Sequence, residues 1–287
     1  MARTGSKLRR MRVHHLNCAT MCPYGGRQLG GEGELFSAAT LVAHCLLVES
    51  NLGLVLVDTG FGLDDVAHAR SRLGSGFVLT ARPRLDPAEC ALRQVERLGF
   101  SGNDVRHIVV THLDLDHAGG LRDFPKATVH VHAGEHEAAM RRRTFLEKER
   151  YKKIQWAHSP LWKTHLPDGE RWFGFDAVRP LDPSIPDVLL VPLFGHTRGH
   201  SAVAVRDDSG WLLHCGDAYF SAGEMEQRPH CPPLLAYYQK LVAIDDETRV
   251  HNQGRLRDLA RDHSKDVRMF SAHSADEYAR FTGQAGS

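Results

Sequence analysis

The stretch Thr111-His112-Leu113-Asp114-Leu115-Asp116-His117-Ala118-Gly119-Gly120 decides the fold of this chain. The apolar run 105–110 before it predicts a buried strand, so four metal-competent side chains lie on a loop where a strand ends. Residues two apart on a strand share one face, so only a tight loop can bring all four side chains together. Imidazole and carboxylate are the ligands with which divalent metals support hydrolysis, although a solvated turn would also tolerate them.

The composition excludes several classes of protein. The chain has 287 residues and a net charge of +1, so it can bury a full core and carries no strong field for nucleic acid or membranes. No apolar run is as long as a membrane span, and no signal-peptide segment follows the basic stretch 7–12. The six cysteines show no zinc-ribbon spacing, so we expect reduced thiols and a cytoplasmic location. We predict one domain, 1–287, with an irregular insertion around 140–186.

The first half predicts two adjacent strands and then strands that alternate with helices. A first strand covers 13–17, and an apolar hairpin joins 40–49 to 54–57. Asp86 and Pro87 open a helix that ends near Leu98, before the strand 105–110. A strand over 128–132 leads into a helix over 134–143, and the charges of 141–153 predict a solvated helix face.

The second half returns to regular strands after an irregular stretch. Residues 154–186 hold prolines, glycines and aromatic residues that would either line a pocket or anchor a loop. A strand over 188–192 precedes the loop 194–201, and a hairpin joins 202–206 to 211–215. A helix covers 246–263 and a last strand 267–271.

Candidate metal ligands follow four separate strand ends. The set is His112, Asp114, Asp116, His117, His200, Asp217 and His273. Strands fix position while loops leave one side open, and this number of ligands suffices for two ions and a bridging water. No Gly-x-Ser-x-Gly elbow, dinucleotide fingerprint or P-loop occurs in the sequence.

Two further groups of residues leave alternatives open. His130, His132 and His136 could hold a metal or could simply be hydrogen-bonded, because no acidic residue or glycine turn accompanies them. Cys18 and Cys22 could bind a metal or act in redox chemistry, or they could be loop thiols.

With its motifs in this order, the sequence resembles the metallo-β-lactamase superfamily. The matching pieces are Asp58-Thr59-Gly60, the His112, Asp116 and His117 frame, the loop Gly195-His196-Thr197-x-Gly199-His200, Gly216-Asp217 and His273. The resemblance covers about 13–273. It implies an α/β fold, an αββα sandwich of two mixed β-sheets flanked by helices, with a dinuclear metal site at one edge.

The resemblance also implies a role for each candidate ligand. One ion would be held by His112, Asp114 and His200, and the other by Asp116, His117 and His273. Asp217 would bridge both ions, and Asp58 would orient a ligand without binding metal. We expect two divalent ions, with zinc as the default and Mn or Fe as alternatives.

Asp114 departs from the family pattern, because most members have histidine there. Flavodiiron reductases of the superfamily have glutamate at this position and hold iron, and DNA-uptake competence proteins often have aspartate. With two divalent ions and a bridging hydroxide, three carboxylates make the site formally neutral. We therefore expect the site to polarise a carbonyl less strongly and to attract anionic substrates less.

The sequence looks most like the N-acyl homoserine lactonase branch. In that branch a tyrosine three positions after the bridging aspartate contacts the substrate carbonyl. Tyr219 comes two positions after Asp217, so it is a candidate catalytic residue, and a core role stays open. We expect a metal-bridging hydroxide to attack a lactone or ester carbonyl, with Asp116 orienting the nucleophile and shuttling its proton. The predicted partner is a small-molecule substrate, with no nucleic acid and no membrane, and a homodimer stays open.

Other activities could use the same ligands. A phosphodiesterase or nuclease, a thioester hydrolase or β-lactamase, and a di-iron redox enzyme remain alternatives. The balanced charge argues against a nuclease, and no flavodoxin-like domain follows to support redox chemistry. A non-enzymatic scaffold is disfavoured because every ligand position holds a competent ligand.

Overall fold

The computed structural model describes residues 11–31 and 33–283, so most of the basic stretch 7–12 lies outside it. In that part of the chain the strands are β1 (Arg12–Met21), β2 (Leu41–Ser50), β3 (Gly53–Val57), β4 (Val105–Val109), β5 (Thr128–His132), β6 (Leu161–His165), β7 (Glu170–Trp172), β8 (Phe175–Asp182), β9 (Ile185–Pro192), β10 (Ser201–Asp207), β11 (Gly210–His214) and β12 (Val267–Phe270). The α-helices are α1 (Gly26–Gly30), α2 (Leu63–Ala67), α3 (Ala69–Arg72), α4 (Ser75–Ala81), α5 (Ala91–Arg97), α6 (Leu115–Ala118), α7 (Ala133–Arg141), α8 (Phe145–Arg150), α9 (Pro233–Val242), α10 (Asp246–Asp262) and α11 (Ala275–Thr282).

The strands form two mixed sheets of six strands each. The first sheet has the order β1-β2-β3-β4-β5-β6, antiparallel over its first three strands and parallel from β3 to β6. The second has the order β12-β11-β10-β9-β8-β7, with a parallel β11–β12 pair and antiparallel neighbours elsewhere. Parallel pairing requires crossovers, and the helices between β3, β4 and β5 supply them.

Alternating side chains on single strands build the layers. On β10, Val203 and Val205 face the core between the two sheets, whereas Ala202 and Ala204 pack on the opposite face with α10. On β2, Leu46 and Val48 face the inter-sheet core, and Leu47 faces outward toward α5 and α7. The period of two thus buries both faces of β2 and β10, one against the other sheet and one against helices. The predicted αββα sandwich is confirmed.

The sequence located most of the elements that carry the site. The hairpin β2–β3 pairs as predicted, and the Asp86 side chain accepts a hydrogen bond from the Ala88 amide at the helix start before α5. The stretch 154–186 was predicted to be irregular, and this is wrong, because it supplies β6 to the first sheet and β7, β8 and the start of β9 to the second. Short strands with interspersed Pro and Gly hide the period-two pattern there. No helix of the described residues is long and apolar enough to cross a membrane.

Candidate metal centre

Loops at the ends of four strands bring seven side chains to one point. We call them the candidate metal cluster: His112, Asp114, Asp116, His117, His196, Asp217 and His273. The loop after β4 and the start of α6 supply the first four, and loops after β9, β11 and β12 supply the others. Six of the seven are residues that the sequence predicted as ligands.

The cluster divides into two separate groups of three residues, and Asp217 contacts both groups. One comprises His112, Asp114 and His196, and the other Asp116, His117 and His273. Asp217 Oδ2 lies 3.5 Å from His196 Nε2 and 3.1 Å from His273 Nε2, and its Oδ1 lies 3.2 Å from His117 Nε2. A carboxylate in contact with both groups suits a bridging ligand.

In the His117 and His273 rings, a hydrogen bond to one nitrogen leaves the other nitrogen facing the cluster. His117 Nδ1 lies 2.8 Å from Asp58 Oδ2, and His273 Nδ1 lies 2.7 Å from the carbonyl of Val42. A ring nitrogen bonded to an acceptor carries the proton, so the Nε2 lone pair is available to a metal. Asp58 therefore takes the orienting position that the sequence predicted.

Asp58 is itself held firmly. Its carboxylate accepts hydrogen bonds from the amide and the hydroxyl of Thr111, 2.7 Å and 2.8 Å away. Burial would raise the pKa of Asp58, but neighbouring His117 outweighs this and holds that pKa below its usual value. Asp58 also has a φ of 54°, a left-handed conformation in which aspartate is better tolerated than most residues.

The donor set fits a metal. His112 Nε2 is buried and has no hydrogen-bond partner among the described residues, and such an atom requires a ligand. Burial would lower the pKa of His117, but Asp217, Asp116 and Asp58 outweigh it and raise that pKa well above its usual value. The cluster therefore attracts positive charge, which divalent ions would supply.

The prediction for His200 is corrected by the geometry. Its Nδ1 bonds the carbonyl of Leu193 at 2.8 Å, and its Nε2 accepts a hydrogen bond from the Asp217 amide at 2.9 Å. With both nitrogens engaged, His200 supports the Asp217 turn, and His196 occupies the place predicted for it. The absence of a side chain at Gly216 permits this, because a Cβ there would lie 2.6 Å from His200 Nε2.

Tyr219 does not reach the cluster either, so its predicted catalytic role is corrected. Its side chain is fully buried in the core against the second sheet, and its hydroxyl donates to Glu277 Oε1 at 3.0 Å. Burial, with Glu277 adding to it, raises the pKa of Tyr219 well above its usual value. The core alternative is the one that the structure supports.

Glu135 on α7 joins the two loops of the first metal group, and sequence reasoning missed it. Its Oε1 accepts hydrogen bonds from the Leu113 amide at 3.0 Å and the Tyr151 hydroxyl at 2.9 Å. Its Oε2 accepts from the Thr197 hydroxyl at 2.6 Å and the Gly199 amide at 3.0 Å. The charge is buried yet fully bonded, so it fixes the spacing of His112 and His196.

Arg150 changes the predicted charge of the site. This last residue of α8 belongs to the stretch predicted as a solvated helix face, but its side chain is only 11% exposed and its Nε lies 3.2 Å from Asp114 Oδ1. Burial would raise the pKa of Asp114, but Arg150 and then His112 hold it well below its usual value. With this cation added, a site with two ions, three carboxylates and hydroxide is no longer formally neutral.

The other predicted histidine group, His130, His132 and His136, does not come together in the structure, and of the three only His130 bonds other histidine rings. His107 Nδ1 and His130 Nε2 lie 3.0 Å apart, as do His130 Nδ1 and His165 Nε2. We call these three residues, on β4, β5 and β6, the histidine chain. His132 instead accepts a hydrogen bond from the Gly134 amide at the start of α7. The structure thus supports the hydrogen-bonding alternative.

An apolar surface adjoins the cluster. The buried Phe220 ring lies 4.7 Å from the His273 ring and 6.1 Å from the Tyr238 ring of α9. Leu234, Tyr237, Tyr238 and Leu241 are exposed along one face of that helix. We call Phe220 and these four residues the apolar wall. The aromatic residues of 154–186, which the sequence offered for this role, pack in cores instead, as Trp156 and Phe175 do.

Comparisons with known proteins point to one family. The family model described as "Metallo-beta-lactamase superfamily" matches residues 39–252. A probable metallo-hydrolase of Mycobacterium tuberculosis is 44% identical over 93% of this chain and 82% of its own length. The N-acyl homoserine lactonase AttM of Agrobacterium fabrum is 28% identical over 82% of each chain.

Solved structures show the same fold. An N-acyl homoserine lactone hydrolase, with the product N-hexanoyl-L-homoserine at its catalytic metal center, superposes with a TM-score of 0.68 at 21% identity, over 93% of this chain and 95% of that one. The dizinc quorum-quenching lactonase AidC superposes with a TM-score of 0.59 at 15% identity, over 93% of this chain and 88% of that one.

Proposed function

Because the chain belongs to the metallo-β-lactamase superfamily and is a metallo-hydrolase of that family, we propose that it is a dinuclear enzyme that hydrolyses a lactone or ester carrying an apolar group. The observation that carries the dinuclear part is the position of Asp217, in contact with histidines of both groups. Two ions bound there would supply an activated shared water and would polarise the substrate carbonyl.

The residues of the chain have separate tasks in this reaction. His112, Asp114 and His196 would hold one ion, Asp116, His117 and His273 the other, and Asp217 both. Asp116 is the carboxylate of its group, with its side chain 12% exposed and its Oδ2 3.6 Å from His273 Nε2. It is therefore placed to orient the attacking water and to take its proton.

Zinc is the metal that we propose. Four histidines and three carboxylates form a mixed nitrogen and oxygen set, which zinc binds well, while Mn or Fe would gain from the carboxylates. The printed description of AidC as a dizinc lactonase supports the same choice by analogy at the level of the fold.

The apolar wall carries the substrate proposal. It lies beside His273 and offers aromatic and aliphatic surface for an acyl or alkyl group. The phenol of Tyr238 belongs to this wall and can donate a hydrogen bond to a substrate oxygen. The similarity to AttM favours a lactone. A formally neutral site would attract anionic phosphodiesters poorly, but the positive charge of Arg150 removes that argument. The choice between these substrates is therefore left to a direct test.

The test combines metal analysis with a matched substrate panel. The purified protein, its metal content measured by mass spectrometry, is assayed with lactones, esters, thioesters and phosphodiesters that carry acyl or alkyl chains of increasing length. We expect about two ions per chain and a kcat/KM that rises with chain length for lactones or esters. Asp217→Ala should lose metal and reduce hydrolysis by more than about 100-fold, since even outer hydrogen-bond partners of metal ligands contribute roughly 10–100-fold.

A pair of surface variants tests the apolar wall separately. Leu241→Asp should raise KM for long-chain substrates and leave short-chain ones unaffected. Leu52→Asp, in the β2–β3 turn at the opposite end of the strand that leads to Asp58, is the matched control. Turnover of phosphodiesters with none of any lactone, ester or thioester would replace this proposal by a phosphodiesterase.

A further inference from the structure

The guanidinium of Arg150 contacts two members of the first metal group and the last residue of α9. Arg150 Nε lies 3.2 Å from Asp114 Oδ1, and its Nη1 donates to the carbonyl of His196 at 2.8 Å. Its Nη2 donates to the carbonyl of Val242, the last residue of α9. Nε is thus in an ion pair with Asp114, and both Nη atoms donate to backbone carbonyls, so each of the three nitrogens contacts the protein itself.

The two oxygens of Asp114 face different partners. Oδ1 lies toward Arg150, whereas Oδ2 lies 3.4 Å from His112 Nε2 and 3.1 Å from His196 Nε2. A carboxylate can bind a metal through one oxygen or two, and a cation on one side leaves a single oxygen for the metal. The direction of Asp114 is thus set by Arg150.

The charges of this pair also depend on each other. A buried guanidinium is costly without a carboxylate, and a third carboxylate next to two others is costly without a cation. Asp114 and Arg150 are both mostly buried, with 16% and 11% of their side chains exposed. Each therefore compensates the other at a place where an unpaired charge would be unfavourable.

We propose that Arg150 is a positioning residue that makes Asp114 a single-oxygen ligand and fixes the backbone of His196 for the same ion. The inference rests on the proposed metal centre and deepens it. Arg150 acts through two ligands, so its removal should affect one ion, the one held by His112, Asp114 and His196, and spare the ion held by Asp116, His117 and His273.

The experiment measures metal binding rather than turnover. Wild type, Arg150→Lys and Arg150→Met are dialysed against graded concentrations of free Zn²⁺, and the ions bound per chain are counted. The visible absorption of the Co²⁺-substituted proteins reports the ligand geometry. Arg150→Met should weaken one of two ions by about 10–100-fold, the cost of losing the partner of a metal ligand. The metal affinity of Arg150→Lys should lie between those of wild type and Arg150→Met, because lysine keeps the charge and loses the planar fork of the guanidinium.

The same Arg150 substitution made together with Asp114→His separates this role from general stability. In Asp114→His the carboxylate is gone, so Arg150 becomes a buried cation beside an ion. There, Arg150→Met removes only the hydrogen bond to the His196 carbonyl and also removes an unpaired cation, so it should weaken metal binding clearly less than in the wild-type background. The matched control is Arg198→Met, which breaks an ion pair between the same loop and the same helix, with Glu147, without contact to Asp114. It should keep both ions and the wild-type Co²⁺ spectrum.

The outcomes distinguish the two proposals. Two ions of wild-type affinity and an unchanged Co²⁺ spectrum in Arg150→Met would overturn the role of Arg150 and leave the metal centre standing. An equal loss of affinity in the Asp114→His background would also overturn it. A wild-type protein that binds no metal would overturn both proposals.

Discussion

The candidate metal cluster and the histidine chain use the same side chain in opposite ways. In the cluster, His117 and His273 give one nitrogen to Asp58 or to a backbone carbonyl and direct the other at carboxylates. In the histidine chain, the middle ring, His130, bonds a neighbouring ring with each of its nitrogens. Burial of a histidine therefore does not indicate a ligand. The indication is a ring nitrogen that faces several carboxylates, rather than a second ring or a backbone group.

The pKa values of the histidines also differ between the candidate metal cluster and the histidine chain. Burial would lower the pKa of His273, but Asp217 outweighs it and raises that pKa above its usual value. Burial lowers the pKa of His130 to about 3 and that of His165 to about 4, with neighbouring charges adding to the effect. The cluster is therefore built to hold positive charge and the histidine chain to remain neutral.

Substitution of His196 and of His200, which lie on one loop, should give the largest effect that tests this comparison. His196 resembles the cluster residues, whereas His200 resembles the histidine chain because both of its nitrogens are bonded. His196→Gln should lose one ion and reduce hydrolysis by more than about 100-fold. His200→Gln should keep both ions and lose about 1–3 kcal/mol of unfolding free energy, the cost of buried groups left unbonded. Ion counts and urea unfolding of the two variants decide this, and the reverse pattern would restore the original prediction for His200.

A smaller effect is expected when only the orientation of a ring changes. Asparagine tolerates the left-handed backbone of residue 58, so Asp58→Asn keeps the fold there. Its amide can donate to His117 Nδ1, which would move the ring proton to Nε2 and block metal binding at that atom. We expect metal affinity to fall by about 10–100-fold. The ion count at graded Zn²⁺ measures it. An unchanged affinity would mean that Asp58 does not select the tautomer.

The smallest effect concerns stability in acid and belongs to the histidine chain. His130 stays neutral in the folded protein and gains a proton in the unfolded chain below about pH 6.5, so stability is lost as the pH falls below that value. Between about pH 7.5 and pH 5 this amounts to about 2 kcal/mol.

His130→Phe removes that contribution while leaving the cluster intact. The variant should be less stable than wild type near pH 7.5, by about 1–3 kcal/mol, because His107 and His165 lose a partner. Its further loss on acidification should be smaller by about 2 kcal/mol. Urea unfolding at the two pH values, with chelator present in all samples, measures both quantities. An ion count below wild type, or an equal acid sensitivity, would contradict the separation of the two groups.

The sequence predicted what is local along the chain. The loop His112 to His117 and the turn at Asp217 follow recognisable strands, so their ligands could be assigned by order and spacing. The strands β2, β3, β10 and β11 were predictable for the same reason, since they show clear apolar patterns bounded by turns. The αββα sandwich itself followed from the resemblance to the metallo-β-lactamase superfamily.

What sequence reasoning missed depends on backbone direction or on distant partners. His196 and His200 share one loop, and only the turn of the backbone decides which ring enters the cluster. Glu135 and Arg150 read as ordinary charged helix residues, because their partners Thr197 and Asp114 lie on loops far away in the sequence. Tyr219 follows Asp217 closely, yet the chain turns its side chain into the core toward Glu277.

The division of the ligands between the two sheets sets an order of events during synthesis. His117 and His273 face each other across 3.4 Å but are separated by 156 positions in the chain. At roughly 5–20 residues per second, a ribosome makes the second about 8–30 s after the first. Until His273 is made, the second group of the candidate metal cluster consists of Asp116 and His117 alone. The site that we propose there is therefore completed only near the end of synthesis.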